Sequence, residues 1–168
     1  MTPEFWRGCA EKPKIKGEYI LLYSVYINKN FDDYAKKLSK KTGLPLVRIC
    51  PDIHQVIKRG KSVVIPPVFD FITLIDNAKY VLTDSFHATA FSMMLNTEPI
   101  CVLHNNPERI SSFLRLVGAE HCIVKDADDL GVIDHPVDFE NAEKILARER
   151  ERVDEFLRGI FNTNESTS

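Results

Sequence analysis

Six consecutive residues, Asp84-Ser85-Phe86-His87-Ala88-Thr89, put a carboxylate, two hydroxyls and an imidazole within little more than one helical turn. They follow Tyr80-Val-Leu-Thr83, a mostly apolar run of strand length, and lead into Ala90-Phe-Ser-Met-Met, a run of helical type. A strand that turns directly into a helix aims free N–H groups, and their partial positive charge, at whatever lies above the sheet edge. A histidine in that first turn can move protons near neutral pH, so the spacing suits an acid/base beside an anion. His87 is therefore the candidate catalytic residue. Asp84 and Ser85 are candidate ligand contacts, although either also suits a helix N-cap. Thr89, one turn on, faces the same crevice or bonds back to its own helix.

A second set of polar residues closes the next apolar run. His104-Asn105-Asn106 follows Ile100–Leu103 at the same expected edge, and His104 reads as a ligand contact or a structural residue. Arg109 falls in the first turn of the helix after it, where a cation opposes the helix dipole. An arginine so placed favours a role in holding an anion. His54, after the second strand, also lies near that edge, whereas His121 and His135 have no such context. There is no Walker A loop, no G-x-G-x-x-G after the first strand, no G-x-S-x-G elbow and no His/Cys cluster with metal spacing, so no metal site is expected.

The elements that must position these residues alternate. Strands are predicted at Tyr19–Val25, Leu46–Ile49, Ser62–Ile65, Tyr80–Thr83, Ile100–Leu103 and His121–Val124, without polar alternation. Amphipathic helices lie between them. The first has Asn30 as N-cap, Phe31, Tyr34, Ala35 and Leu38 on one face, and Gly43 as its stop. Others cover Val68–Asn77, Ser85–Leu95 and a segment opened by Asn106-Pro107 and stopped by Gly118. A long closing helix, about Asp138–Ile160, carries a stripe that includes Phe139, Ala142, Leu146, Val153 and Phe156. Residues 50–60 are ambiguous. The pattern predicts a three-layer, doubly wound Rossmann-like α/β sandwich with a parallel sheet of about six strands. In the order 3-2-1-4-5-6, strands one and four flank the topological switch point, where such sheets bind ligands. Residues 1–17 read as a lead-in, 18–161 as one domain and 162–168 as a frayed tail.

Composition sets the outer limits. The chain has 168 residues, 44% apolar and 27% charged, which suits one globular domain with its own core. A net charge of −2 gives no global field for nucleic acid or an anionic membrane. The clusters Lys36-Lys37 with Lys40-Lys41, and Lys58-Arg59 with Lys61, read as solvated surface. Cys9, Cys50, Cys101 and Cys122 form no C-x-x-C pair, and three of them sit in or beside apolar runs, pointing to a reducing cytoplasm. No signal-peptide pattern and no run long enough for a membrane span is present, so the expectation is a cytoplasmic protein.

The run Phe71–Ser92 resembles the signature of the polysaccharide pyruvyl transferase family, A-x-Y-V-x-T-D/N-S-F-H-G-T-x-F-S, carried here by Ala78 to Ser92. Pro99-Ile-Cys-Val, Asn106–Gly118, Ile123-Val124 and the closing Arg152-Val-Asp-Glu-Phe-Leu157 extend the resemblance. Phe5-Trp6 with Tyr19–Tyr23 resembles the start of the family's second half. The resemblance implies the C-terminal half of a longer transferase of the two-Rossmann-domain (GT-B) type, partnered by an N-terminal domain and inactive alone. It implies phosphoenolpyruvate as co-substrate, with no further cofactor, and a pyruvyl ketal placed on a glycan or lipid-linked sugar of a cell-surface polysaccharide. Acceptor contacts would fall mostly in the other domain. His87 matches the motif histidine and would be the acid/base, while Ser85 and the helix N-terminus would help hold the donor. Ser85 stands where well-studied members carry arginine, and Ala88 where glycine is usual; Arg109 is the candidate replacement cation. Two other readings stand beside this one. One is the donor domain of a nucleotide-sugar glycosyltransferase, with Asp126, Asp128 or Asp129 gripping the ribose. The other is a non-catalytic α/β module with His87 as a cap.

Overall fold

Short apolar runs pair side by side because a central strand can bury both of its faces, while the outermost, Lys61–Val64, stays largely open. The computed structural model describes residues 3–9, 15–26, 29–50, 60–104 and 107–165. Strands β1 (Ile20–Tyr23), β2 (Leu46–Cys50), β3 (Lys61–Val64), β4 (Tyr80–Thr83) and β5 (Glu98–Cys101) form one parallel sheet in the order β3-β2-β1-β4-β5. Ile20 pairs with Leu46 on one side and Tyr80 on the other, and Tyr80 pairs with Glu98, so neighbouring strands end at a common edge. The expected sixth strand is reduced to one parallel bridge, Cys101 to Ile123. Residues Glu120–Cys122 wind into a 3-10 turn instead, leaving too little extended chain to pair.

Helices α1 (Pro3–Cys9), α2 (Lys29–Thr42), α3 (Val68–Asp76), α4 (Phe86–Leu95), α5 (Glu108–Leu116) and α6 (Phe139–Glu165) complete the described chain with a second 3-10 turn at Gly131–Asp134. One face of the sheet packs Leu21, Val47, Ile49 and Val81 against Ile72 and Ile75 of α3 and Ala88 of α4. The other packs Ile20, Leu22, Leu82 and Ile100 against Phe31, Tyr34, Ala35 and Leu38 of α2. Beyond β5, Ile110 and Leu114 of α5 and Ala142 of α6 close a third cluster around Cys101 and Met93. These are the layers of a doubly wound α/β fold.

Several boundaries depart from the sequence reading. Lys29 already lies in α2, so Asn30 sits inside the helix rather than capping it. Strand β5 begins two residues early and contains Pro99, which a strand with one full neighbour tolerates because the missing N–H can face its open side. The lead-in is not without structure. Helix α1 docks through Trp6, edge-on to Phe91 at 5.4 Å, and through Arg7, which reaches Asp76 at 2.9 Å and the carbonyl of Leu95 at 2.8 Å. One guanidinium thus meets the C-terminal ends of both α3 and α4, where helix dipoles favour a cation.

Two of the lysines read as solvated surface are clamps. Lys37 pairs with Asp128 and reaches the carbonyl of Ala127, and Lys41 reaches the carbonyl of Leu130 and Asp134. Tyr34 donates to the carbonyl of Asp129 at 2.8 Å, so one face of α2 holds the whole 127–134 segment. The cluster at Lys58-Arg59 lies outside the described residues, as does His54. Buried Arg48 of β2 meets Asp32 of α2 at 2.6 Å and ties that helix to the sheet. In α6 the apolar stripe reaches the core only through its first turns; Val153, Phe156, Leu157 and Ile160 are exposed. Among the described residues no helix is long and apolar enough to cross a membrane.

Glu98, half-buried, accepts the Val137 N–H and fixes the approach to α6. Burial pushes its carboxyl above the ordinary carboxylate value, opposed by the Val137 hydrogen bond and by Lys79. The folded state therefore holds that proton more tightly than the unfolded chain, and stability falls as pH rises from the ordinary value through the raised one. Urea titrations across the mildly acidic range should show this loss in the wild type. Glu98→Gln, which does not ionise, should flatten it.

Candidate active site

At the end of a parallel strand the chain must leave for one face of the sheet or the other. Strand β1 exits toward α2 on one face, and β4 exits toward α4 on the other, so their ends open a crevice. Short polar side chains stitch its floor. The Thr83 hydroxyl donates to the carbonyl of Tyr23 at 2.7 Å and accepts the Ser85 N–H at 3.0 Å. The Asp84 carboxylate accepts the Ser24 hydroxyl at 2.7 Å, the Val25 N–H at 2.7 Å and the Tyr26 N–H at 3.3 Å. Thr89 is fully buried, donates to the carbonyl of Ser85 at 2.9 Å and lies 3.4 Å from the thiol of Cys101. Of the two options the sequence left for Thr89, the bond back to its own helix is the one formed.

What remains turned outward in the first turn of α4 is His87. Ser85 is its N-cap in extended conformation, yet its hydroxyl makes no capping bond. The first intrahelical bond runs from the Thr89 N–H to the Ser85 carbonyl, so the N–H groups of Phe86, His87 and Ala88 have no acceptor within the helix. His87 is exposed beside them. The Ala88 methyl points away from this surface and is fully buried in the core with Leu21 and Val81, so its replacement of glycine costs the crevice no room.

Phe86 joins the other charge to this corner. The Arg109 guanidinium lies 4.6 Å from the centre of its ring, a cation–π contact, and the His87 ring sits edge-on to it at 6.0 Å. Phe113 packs edge-on behind it at 5.7 Å. Phe86 drew no notice in the sequence because an aromatic in an apolar helix reads as core. Arg109 is exposed, and its cationic end rests on Phe86, the first residue of α4 and the next after Ser85. Imidazole and guanidinium therefore gather at one helix start, beside the N–H groups of Phe86 and His87 that have no acceptor within the helix.

His104 meets a different ring, that of Tyr26. It is exposed at the exit of β5, with its ring 5.1 Å from that of Tyr26 and tilted 56° to it. It borders a cleft of about 340 Å³ between β5's exit, the start of α2 and residues 124–127. The three aspartates weighed for a ribose shape turns: Asp126 accepts the Asp128 N–H, Asp129 accepts the Gly131 N–H, and Asp128 pairs with Lys37. His121 is half-buried, with a buried Nε2 that meets no hydrogen-bond partner, and lies away from this corner. Chemistry at Cys101 is disfavoured, since burial pushes its thiol up to about 12, against a hydrogen bond with Thr89. Among the described residues no three His, Cys, Asp or Glu side chains gather as metal ligands.

A doubly wound sheet with this edge defines a Rossmann-like domain. The model of the polysaccharide pyruvyl transferase family matches residues 3–106, more than half of the sequence, and the chain belongs to that family. Among solved structures it is similar to the UDP-GlcNAc 2-epimerase of Methanocaldococcus jannaschii in complex with UDP-GlcNAc and UDP, at 15% identity and a TM-score of 0.50. That match covers 88% of this chain and 48% of the epimerase, so the chain spans about half the length of that neighbour. A second, the UDP-GlcNAc 2-epimerase of Neisseria meningitidis bound to UDP-GlcNAc, is 12% identical with a TM-score of 0.45, covering 92% of this chain and 40% of that one. No curated protein matches the sequence.

The stitching at Asp84 has a measurable weight. Asp84→Ala leaves two backbone N–H groups and a hydroxyl without their charged acceptor, and should cost about 3 kcal/mol of stability. Ser85→Ala removes a hydroxyl that makes no cap and should cost less than about 1 kcal/mol. Urea midpoints of the two variants check the contrast.

Proposed function

We propose that the chain is the donor-binding half of a pyruvyl transferase that takes phosphoenolpyruvate and places a pyruvyl ketal on a sugar of a cell-surface glycan. Family membership supplies the reaction class, and the observation that carries the donor assignment is the corner at α4. An anion with a phosphate and a carboxylate needs donors and positive charge arranged over a few ångströms. The N–H groups of Phe86 and His87 offer the first, and the Arg109 guanidinium, held on Phe86, offers the second. Arg109 then does the work of the arginine that relatives carry at the position of Ser85.

The chemistry follows from that placement. His87, protonated, gives its proton to the methylene carbon of the bound enol, and the double-bond electron pair forms the new C–H bond. The adjacent carbon becomes electrophilic and is attacked by a sugar hydroxyl. Its phosphate leaves with the electrons of the C–O bond, and a second hydroxyl closes the ketal. The two hydroxyl protons return to His87 and to the departing phosphate, so one phosphoenolpyruvate and one diol give one ketal and one inorganic phosphate. The helix N-terminus and Arg109 stabilise the phosphate as its charge grows. The acceptor and the second Rossmann half complete the enzyme, and this half alone does not turn over.

A pyruvyl-transfer assay on the complete protein carrying this domain tests the reading. His87→Ala should lower kcat by about a hundredfold or more, the usual weight of a general acid. Arg109→Ala should raise KM for phosphoenolpyruvate at least about tenfold, and Arg109→Lys should recover part of it, since a point charge replaces a forked donor. Undiminished turnover in His87→Ala removes it from the mechanism. Turnover with uridine diphosphate sugars in place of phosphoenolpyruvate overturns the donor.

A further inference from the structure

Helix α5 starts without a side-chain cap, because its N-cap is Pro107, and Arg109 in its first turn opposes the helix dipole. Nothing in α5 itself therefore favours a cation there. Among the described residues the Arg109 guanidinium pairs with no carboxylate; it meets the Phe86 ring, 4.6 Å from the centre. A guanidinium held by its flat face keeps its N–H edge unspent, and that edge is the one that binds oxyanions in pairs.

Phe113 is the second grip. It stands four residues after Arg109, so the two lie on one side of α5, about 6 Å apart along its axis. Its ring meets the same Phe86 ring edge-on, with centres 5.7 Å apart and planes at 75°. Ile110 and Leu114 are buried with Met93 in the cluster that α4 and α5 share, and Phe86 and Phe113 pack against that cluster while staying partly exposed. Helix α5 thus grips one ring of α4 with two of its own side chains, a turn apart. Phe86 is the first residue of α4, so the grip also sets α5 against the start of that helix. Phe113 carries no charge and no hydrogen-bonding side-chain group, so any part it has in holding an anion passes through the ring it touches.

We propose that Phe113 and Phe86 are positioning residues for the anion site: Phe113 holds the Phe86 ring, and the ring holds the Arg109 guanidinium by its face, leaving the N–H edge to the donor. The role in donor binding rests on the pyruvyl-transfer reading; the clasp itself does not. Because the ring acts through its π face, a leucine of similar bulk does not replace it, whereas a tyrosine does.

Two readouts on the isotopically labelled 168-residue chain test this. Without ligand, the ring current of Phe86 should move the Arg109 side-chain protons upfield, an effect lost in Phe86→Leu, kept in Phe86→Tyr and reduced in Phe113→Leu. On titration with phosphoenolpyruvate, Phe86→Leu should weaken binding about fivefold and Phe113→Leu about twofold, with Phe86→Tyr near wild type. In an Arg109→Ala background neither leucine substitution should weaken binding further, because both act through the guanidinium. Backbone amide spectra check that each variant is folded. Absence of the upfield shift in the wild type overturns the clasp. Equal affinity in Phe86→Leu and wild type, or the same loss from Phe86→Leu with and without Arg109, overturns the positioning role. Affinity unchanged by Arg109→Ala, with the upfield shift present, overturns the donor assignment instead, so the two failures read differently.

Discussion

The Asp84 carboxylate is the point on which the functional edge depends. In a parallel sheet whose central strands exit to opposite faces, the backbone just after each strand loses its ladder partners. Buried N–H groups left in that position cost more than most single packing contacts contribute. Asp84, at the end of β4, takes the N–H groups of Val25 and Tyr26 and the hydroxyl of Ser24 from the end of β1. Thr83 makes the matching tie to the carbonyl of Tyr23. The crevice is thus closed at its floor by side chains of the motif itself, and only the next turn of chain is available to a ligand.

That division of labour explains the order of residues in the motif. Thr83, Asp84 and Thr89 are occupied internally; Ala88 fills the core; Phe86 serves as a ledge. His87 and the helix N–H groups remain. Phe86 is the less obvious member, because it makes Arg109, distant in sequence, a neighbour of His87. A cation in the first turn of α5 opposes that helix's own dipole, and its contact with Phe86 supplies a compensating attraction. The charge that relatives supply within the motif reaches the same corner here from the next helix, which is the substance of the proposed donor site.

Much of this was legible in the sequence, for identifiable reasons. Tyr80–Thr83 is apolar, short and flanked by Lys79 and Asp84, so its bounds were readable to the residue, and the helix after it needed no loop. The fold class followed from alternation of strands and helices; the strand order was only the commonest for such folds, and five strands pair in it in the described chain, the sixth thinned to a bridge. Helix α1 was not legible, because seven residues show little periodicity and its anchors, Phe91, Asp76 and Leu95, are far along the chain. The clamp of Lys37 and Lys41 was missed for the same reason: the i, i+4 spacing marks a face, but only the fold shows that 127–134 lies against it. Tyr26 carried no signal at all. Its contact with His104 joins the exits of β1 and β5, which no local pattern encodes.

The central claim is that an anionic donor sits on the first turn of α4 between its N–H groups and Arg109. The most direct measurement is a titration of the isotopically labelled chain with phosphoenolpyruvate, following backbone amide resonances. The amides of Phe86 and His87 should shift together along one saturating curve, with the Arg109 side-chain N–H moving on the same curve. Shifts confined to residues 25–26 and 102–104, or none at the start of α4 at saturating ligand, would contradict the account.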